Sequence, residues 1–335
     1  MYTEYYQLTG KPFQLNPDER FFYNSKGHNR AMAYLRYGLE QRQGFIVITG
    51  GIGTGKSLLV KNLFAELDPD QVAAAHLVTT QVHAEDLVRL VSGAFGLPFE
   101  GLSKAALLRN LESFFREMHA EGKRVLIVID EAQNLPPQSI EELRMLSNYE
   151  VDGTPLVQSF LLGQVELRRV LQGAHMEQFR QRIIAGYHLR PLDADETRNY
   201  IIHRLEKVGW DHRPEFDESA FSEIARYTRG IPRRINTLCD RLMVFGFLEE
   251  LDRFDEGHVL GVIEDMQEEM GVNDSDIGEG IGVSADLPMN GDANLTDRIA
   301  MLESEISMLK LAVMKDRQLL RKAVLMHLED DGDAG

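Results

Sequence analysis

The stretch Gly50–Ser57, GGIGTGKS, constrains this chain more than any other part of it. It fits G-x-x-x-x-G-K-[S/T], with an apolar, β-branched run before it (Gly44–Thr49, GFIVIT) and residues apolar at helical spacing after it (Ser57–Leu67, SLLVKNLFAEL). Strand, glycine loop and helix in that order form a cradle for phosphate. Glycines let backbone N–H groups converge on phosphate oxygens, and the helix N-terminus adds a favourable dipole. This assigns Gly50, Gly51, Ile52, Gly53, Thr54, Gly55, Lys56, Ser57 and Leu58 to nucleotide binding. Lys56 is expected to reach the β- and γ-phosphates of ATP, and the Ser57 hydroxyl to bind Mg²⁺. The bland alternative, a chance glycine turn, does not account for both flanks.

A second motif points from binding to hydrolysis. Val125–Gln133, VLIVIDEAQ, is an apolar run closed by two carboxylates. Such a run reads as a strand buried on both faces. Its carboxyl end is where open α/β sheets bind ligands. Asp130 is placed to hold Mg²⁺, and Glu131 to act as general base on the attacking water. The alternative is a strand ending in solvated acids. The letters DEAQ also suggest a helicase motif, but no other helicase signature follows.

At 335 residues the chain can bury a full core and hold two domains, and its 43% hydrophobic and 27% charged content is that of a globular protein. Its apolar runs are too short for a membrane span. The first residues, MYTEYYQLTGKPF, have neither a basic n-region nor an apolar h-region, so a secretory signal is not expected. The single cysteine, Cys239, sits in an apolar helical pattern and reads as a core residue. A cytoplasmic location is therefore expected. Residues 1–248 carry a net charge of −2 and residues 249–335 one of −15. Neither part has the basic balance of a dedicated nucleic-acid binder. A local basic stripe remains open, because Arg226, Arg229, Arg233, Arg234 and Arg241 lie close in sequence.

The pattern along the chain divides it into six parts. Residues 1–43 form an amino-terminal segment rich in aromatics and turn signals, with a helix from His28 to Gln41, expected to pack on the ATPase core. Residues 44–190 alternate strands (Phe45–Thr49, Ala73–Thr79, Val125–Asp130, Leu156–Gly163, Ala185–Leu189) with helices (Ser57–Leu67, Ala84–Phe95, Lys104–Ala120, Ser139–Tyr149). That alternation predicts a parallel α/β sheet covered on both faces. Residues 191–269 show only helical patterns and read as a small helical lid domain. Residues 270–293 are rich in Gly, Asp, Ser and Asn and read as a flexible acidic linker. Within 294–328, Leu295, Ile299, Leu302, Ile306, Leu309 and Val313 alternate spacings of four and three. This is a coiled-coil-like seam on a helix of about 50 Å, which either binds a partner or folds back on the body. Residues 329–335 read as a disordered acidic tail.

Three further pieces complete an ATPase constellation. Gln164 ends a strand and is placed to hydrogen-bond the attacking water or the γ-phosphate. Arg180 and Arg182 precede the last strand, where an arginine can reach a neighbouring subunit's γ-phosphate. Such a finger contributes ~10³ to 10⁵ in rate. The alternative for each is a solvated helix face. Arg233, in GIPRRIN, opens a helix of the lid, from where it can reach the γ-phosphate across the domain boundary and couple nucleotide to lid position. Otherwise Arg233 and Arg234 only decorate a helix start.

Over roughly residues 1–268 the chain resembles AAA+ ATPases of the general-secretion-pathway protein A type, and in particular those of exosortase/PEP-CTERM and exopolysaccharide loci. The stretches that carry the resemblance are YYQLTGKPFQLNPDERFFYNSKGHNRAMAYLRYGL, GGIGTGKS, VLIVIDEAQNL, LLGQVELR, FRQRI, YHLRPLDADETRNYIIHRL and GIPRRINTLCDRLM. The resemblance implies a sheet ordered 5-1-4-3-2 with a helical lid, ATP between them, and a homo-oligomer, such as a ring, whose arginines act in trans. It implies that Gln164 takes the sensor-1 place, Arg233 the sensor-2 place, and Arg180 or Arg182 the finger region. His28 matches the segment that lies over the adenine. Larger secretion-type relatives continue into a transmembrane helix and a periplasmic peptidoglycan-binding domain. Here an acidic linker and a heptad helix stand instead, which favours a cytoplasmic motor or switch reaching an inner-membrane secretion or polysaccharide-assembly protein through that helix.

Three functions compete on this reading. The first is an ATPase that energises or regulates export or assembly of exopolysaccharide or surface protein. The second is a DNA-binding AAA+ regulator of the transposition-ATPase type, supported by the arginine cluster and opposed by the acidic balance. The third is a nucleotide-gated adaptor with little turnover, opposed by the presence of Lys56, Asp130 and Glu131.

Overall fold

A computed structural model describes residues 2–16, 18–78 and 84–270. Five strands form one parallel sheet: β1 Phe45–Gly50, β2 Val72–Val78, β3 Arg124–Asp130, β4 Val157–Gly163 and β5 Ile183–Leu189. Their spatial order is β2-β3-β4-β1-β5, the expected 5-1-4-3-2 counted from the other edge. Register is continuous along the central strands, with Phe45 opposite Ser159, Thr49 opposite Gly163, and Val125 opposite Val157. Because β4 lies between β1 and β3, the carboxyl ends of these three strands are neighbours.

The period-two alternation of the strands sorts their side chains onto two faces. Phe45, Val47, Ile127, Ile129 and Leu161 point to one side, where helices α3 (Ala84–Ala94), α4 (Lys104–Ala120) and α5 (Pro137–Leu146) contribute Leu87, Leu111, Phe115 and Leu143. Ile46, Ile48, Val128, Phe160 and Leu162 point to the other, against α1 (Lys26–Gln41) and α2 (Lys56–Glu66). Gly38 is required in α1, because a Cβ there would run into the Ile46 side chain. Helix α6, Val165–Gln172, leaves the end of β4.

After β5 the chain is almost wholly helical: α7 Ala194–Glu206, α8 Glu218–Thr228, α9 Pro232–Leu248 and α10 Glu256–Met270. A capping box formed by Asp193 and Glu196 starts α7. A two-residue parallel pairing of Glu215–Phe216 with Arg253–Phe254 was not legible in the helical pattern. Cys239 is fully buried in this bundle, as its apolar setting predicts, and burial pushes its thiol pKa well up.

The amino-terminal segment departs from expectation. Helix α1 does pack on the sheet. Tyr2, Tyr6, Phe13 and Phe21, however, are buried among Ile201, Leu205, Leu238 and Leu242 of the helical bundle. Tyr2 donates to Asp240 Oδ1 (2.7 Å) and Tyr6 to the carbonyl of Leu251 (2.8 Å). Large aromatics with a hydroxyl need both apolar area and a polar partner, and this bundle supplies both. The segments 271–293, 294–328 and 329–335, and with them the expected linker, heptad helix and tail, lie outside the described residues, as do Met1, Pro17 and 79–83. Among the described residues no helix is long and apolar enough to cross a membrane.

Candidate nucleotide site

The loop between β1 and α2 is shaped by glycine. Gly53 and Gly55 have φ of +78° and +98°, a region that side chains with a Cβ seldom enter. A Cβ on Gly53 would come within 2.7 Å of Arg233 Cβ, and one on Gly55 within 2.7 Å of His28 Nε2. Lys56, first residue of α2, is buried and donates to the carbonyls of Gly50 and Gly51, both at 3.0 Å. Burial draws its pKa below the usual lysine range, against the opposing charges of Glu131, Asp130 and Glu166.

The next residue, Ser57, donates its hydroxyl to Asp130 Oδ2 at 2.6 Å. This joins the first turn of α2 to the end of β3, 73 residues on in sequence. Glu131 follows with φ +54°, and that left-handed turn swings its carboxylate away from the sheet axis toward β4. There Gln133 Nε2 (2.5 Å) and Gln164 Nε2 (3.1 Å) both donate to Glu131 Oε2. Gln133 Oε1 in turn accepts from the Gln164 backbone N–H at 2.8 Å. Burial by itself pushes the Glu131 pKa up, but the two amide hydrogen bonds and the Lys56 charge outweigh it, and the carboxyl ends below its usual range. Gln133 was not singled out from sequence. Its signal was its place two residues after the base, within the 3₁₀ turn Ala132–Asn134.

Arg233 opens α9, and its backbone N–H donates to the Gly53 carbonyl at 3.2 Å. A cavity of about 390 Å³ lies between the loop and the bundle, with Lys56, Ser57, Leu58, Glu131 and Arg233 in its walls. Gly53, Gly55 and Ile52 line it too, the last 64% exposed at the loop tip. Arg180 and Arg182 are not among the residues lining this cavity. Arg180 Nη1 donates to the carbonyls of Leu171 and Gly173 (2.9 and 2.8 Å) at the end of α6. Arg182 reaches Ser147 Oγ (2.6 Å) and Asn148 Oδ1 (2.5 Å) past the end of α5.

His28 lies under the phosphate loop, held there by both ends of its ring. Ser25 Oγ accepts from the His28 backbone N–H (3.1 Å) and lies within hydrogen-bond distance of Nδ1 (2.7 Å), the direction of that bond following the ring tautomer. The ring also hydrogen-bonds the Thr54 backbone, and its Nε2 lies against Gly55. Burial lowers the pKa of His28, opposed by the Thr54 bond and the Glu196 charge.

These residues fit a nucleoside triphosphate with a divalent cation. The loop accepts no Cβ at two positions, its lysine is buried beside the backbone groups that cradle phosphate, and Ser57 and Asp130 bring two hard oxygen donors together. Mg²⁺ usually takes only one or two protein oxygens and shares the rest with phosphate and water.

A five-stranded parallel sheet in this order, with a glycine loop after β1 and acids after β3, is the P-loop AAA+ fold. Residues 39–171 match the family described as AAA domain. The chain is 36% identical over 251 residues to General secretion pathway protein A of Aeromonas hydrophila, a match that covers 74% of this chain and 45% of that protein. The chain thus spans a little under half the length of this curated relative. Among solved structures it is similar to the ORC2 protein of Aeropyrum pernix in its ADPNP–ADP complexes (16% identity, TM-score 0.56, covering 75% of this chain and 72% of that one). It is also similar to Cdc6p of Pyrobaculum aerophilum (17% identity, TM-score 0.56, covering 73% and 68%). At such identities these two likenesses speak for the fold alone.

Proposed function

We propose that the protein is a Mg²⁺-dependent AAA+ ATPase, acting as a homo-oligomer, that energises or regulates export or assembly of exopolysaccharide or surface protein at a bacterial envelope. The observation that carries the hydrolytic part is the hydrogen-bonded pair Ser57–Asp130 beside a Glu131 carboxylate held by Gln133 and Gln164. When bound, ATP supplies the phosphoryl bond and Mg²⁺ neutralises charge on its oxygens. Lys56 holds the β- and γ-phosphates, and Ser57 and Asp130 hold the cation. Glu131, ionised at neutral pH, accepts the proton of the attacking water. Gln164 fixes the carboxylate that takes that proton, and its amide also serves the γ-phosphate. The helical bundle acts as the lid, with Arg233 reading the γ-phosphate. Arg180 or Arg182 serves as the finger to the next subunit, which requires release of its present carbonyl or side-chain partners.

The export part rests on the relative named for the general secretion pathway and on the acidic balance of the chain. We assign residues 294–328 to an inner-membrane partner and the ATPase itself to the cytoplasm. The competing reading, a DNA-binding regulator, rests on the arginine cluster. Two of its members are committed elsewhere: Arg226 pairs with Glu223 (2.5 Å) and Arg241 with Glu269 (2.8 Å). Arg233 faces the nucleotide cavity. That leaves little of the cluster for phosphate neutralisation.

The deciding experiment is ATP turnover per subunit over a range of protein concentrations, with and without duplex DNA. Turnover that rises with concentration and ignores DNA supports the proposal. Turnover stimulated by DNA replaces it with the regulator.

A further inference from the structure

The edge of the sheet beside α1 is open. Strand β5, Ile183–Leu189, pairs with β1 on one side, and among the described residues no strand pairs with the other. An edge strand carries a row of N–H and C=O groups that its one neighbour does not use. Charged side chains and proline are the usual means of blunting such an edge, and the sequence IIAGYHL has neither. The irregularity in its pairing lies at its start, opposite Phe45 and Ile46, which leaves Ala185–Leu189 in regular register with Ile46–Gly50. Where β1 is buried throughout, β5 is mostly half-buried, and Gly186 in its middle is exposed and presents no side chain. A glycine inside a strand often marks where another backbone comes close.

Helix α1 adds a wall along this edge. A groove of about 530 Å³ is lined by Arg30, Ala33, Tyr34 and Tyr37 of the helix and Tyr187 of the strand. Tyr34 and Tyr187 stack with ring centres 5.6 Å apart, which joins the two walls. Tyr34 and Tyr37 are 41% and 48% exposed, on a helix whose other face, with Ala31, Met32 and Leu35, is buried on the sheet. The charge in the groove has one sign, since its lining holds a guanidinium and no carboxylate. Other cations of α1 are engaged: Lys26 meets Asp193 (3.7 Å) and its backbone N–H donates to Glu196, while Arg36 pairs with Glu66 (2.8 Å). Arg30 is exposed and has no ion-pair partner among the described residues. Glu40 stands about one turn beyond Tyr37, towards the end of α1. At the far end of β5, burial lowers the pKa of His188, and the charges of Arg168, Arg190 and Lys56 lower it further. Glu166 offsets part of that charge at Lys56.

We propose that β5 and α1 together form a docking groove for an extended acidic segment of another protein. The segment lies along β5 as an added strand, held by backbone hydrogen bonds. Every second side chain then rests against Tyr34, Tyr37 and Tyr187, and a carboxylate meets Arg30. A single-stranded nucleic acid would also stack on tyrosines, but it needs cations along its whole backbone, and a single arginine lines this groove. The open row of backbone groups suits a peptide, which carries a matching row, and not a nucleic acid. None of the groove's lining residues lines the nucleotide cavity. The two are still linked, because β5 is paired along its length with β1, which ends at the phosphate loop.

The test is the binding of a labelled peptide of alternating Glu and Val, capped at both ends, to the full chain at physiological ionic strength, read by fluorescence anisotropy. The alternation keeps the peptide extended and gives it one acidic and one apolar side. Wild type should bind it, and should bind the Lys-Val counterpart about tenfold more weakly or less well still. Arg30→Glu and Tyr37→Ala change exposed side chains outside the nucleotide cavity. Each should weaken the acidic peptide by about tenfold, with Tm close to that of wild type. The same peptide with its backbone amides N-methylated keeps its charges and side chains but loses its donors, and should lose most of its binding. A wild type that does not bind the acidic peptide overturns the proposal. So does binding that survives N-methylation, or that ignores both substitutions. Single-stranded oligothymidylate bound through Arg30 and Tyr37, with the peptide left unbound, replaces the peptide groove with a nucleic-acid platform.

Discussion

The backbone N–H of Arg233 donates to the carbonyl oxygen of Gly53, 3.2 Å away, so the first turn of α9 is hydrogen-bonded to the phosphate loop. The bond uses one of the N–H groups that a helix start leaves without an intrahelical partner. It is independent of the Arg233 side chain.

Arg233→Ala should therefore keep the docking of α9 on the loop and lose only what the guanidinium does. If that group stabilises charge on the γ-phosphate, turnover should fall by about 10² while ATP affinity changes little. Single-turnover hydrolysis beside equilibrium binding of ATP separates the two. A loss of affinity as large as the loss of rate would instead assign Arg233 to ground-state binding.

Glu131→Gln should bind ATP and lose hydrolysis by about 10² to 10⁴. The amide retains most of the shape held by Gln133 and Gln164 but cannot take a proton. The pH dependence has a definite sign. The folded pKa of Glu131 lies below the ordinary carboxylate value, so the carboxylate is ionised above it and lost only as pH falls through it. The acid limb of kcat/KM should thus lie below about pH 4.3, with no limb from this residue near neutrality. A rate–pH profile with an acid limb at pH 6 to 7 would move the general base to another group.

Much of this was legible because its signals are local. The phosphate loop, the apolar run ending in Asp130 and Glu131, and the alternation that gives the sheet each lie within about ten residues, where period and turn chemistry are decisive. The residues that sequence missed act over long separations. Arg204 reads as one more cation on an amphipathic helix, and only the fold brings it to Pro12, 192 residues earlier. Tyr2 and Tyr6 announce a buried aromatic cluster but not which core takes them. His28 was placed near the base from its segment, while the fold puts its ring under Gly55. The local period gives the helix, and the ring's neighbour is set by how α1 packs across β1 and β5.

His28 should make stability depend on pH in a window below neutrality. Its folded pKa is lowered by burial, so between the folded and the unfolded values the unfolded chain binds more protons. Its contribution is fully present above the unfolded value of about 6.5 and is lost as pH falls through the window below it. His28→Gln should flatten this part of the wild-type dependence of Tm on pH. His76, His188 and His203 are also shifted down by burial, so the difference between wild type and variant is the measure. An unchanged slope between about pH 6.5 and 5 would show that His28 does not titrate on unfolding.

The join between the sheet domain and the helical bundle turns on Gly230. Two successive residues before α9 are left-handed, Arg229 at φ +52° and Gly230 at φ +67°. Gly230 accepts from the Leu192 N–H at 2.9 Å, and a Cβ on Gly230 would run into the Leu192 carbonyl oxygen. The obstacle is backbone, which cannot rotate aside as a side chain can. Gly230→Ala should therefore cost more than the ~1 kcal/mol of left-handed strain alone, on the order of 2–3 kcal/mol, and lower Tm by roughly 4–12 °C. Arg229→Gly is the contrast. It relieves the same kind of strain at ~1–2 kcal/mol and gives back ~0.5–1 kcal/mol in chain entropy, so Tm should hold or rise slightly. A Gly230→Ala cost no larger than the ~1–2 kcal/mol of left-handed strain that Arg229→Gly relieves would show that the left-handed backbone, rather than the close approach to Leu192, sets the cost at this join.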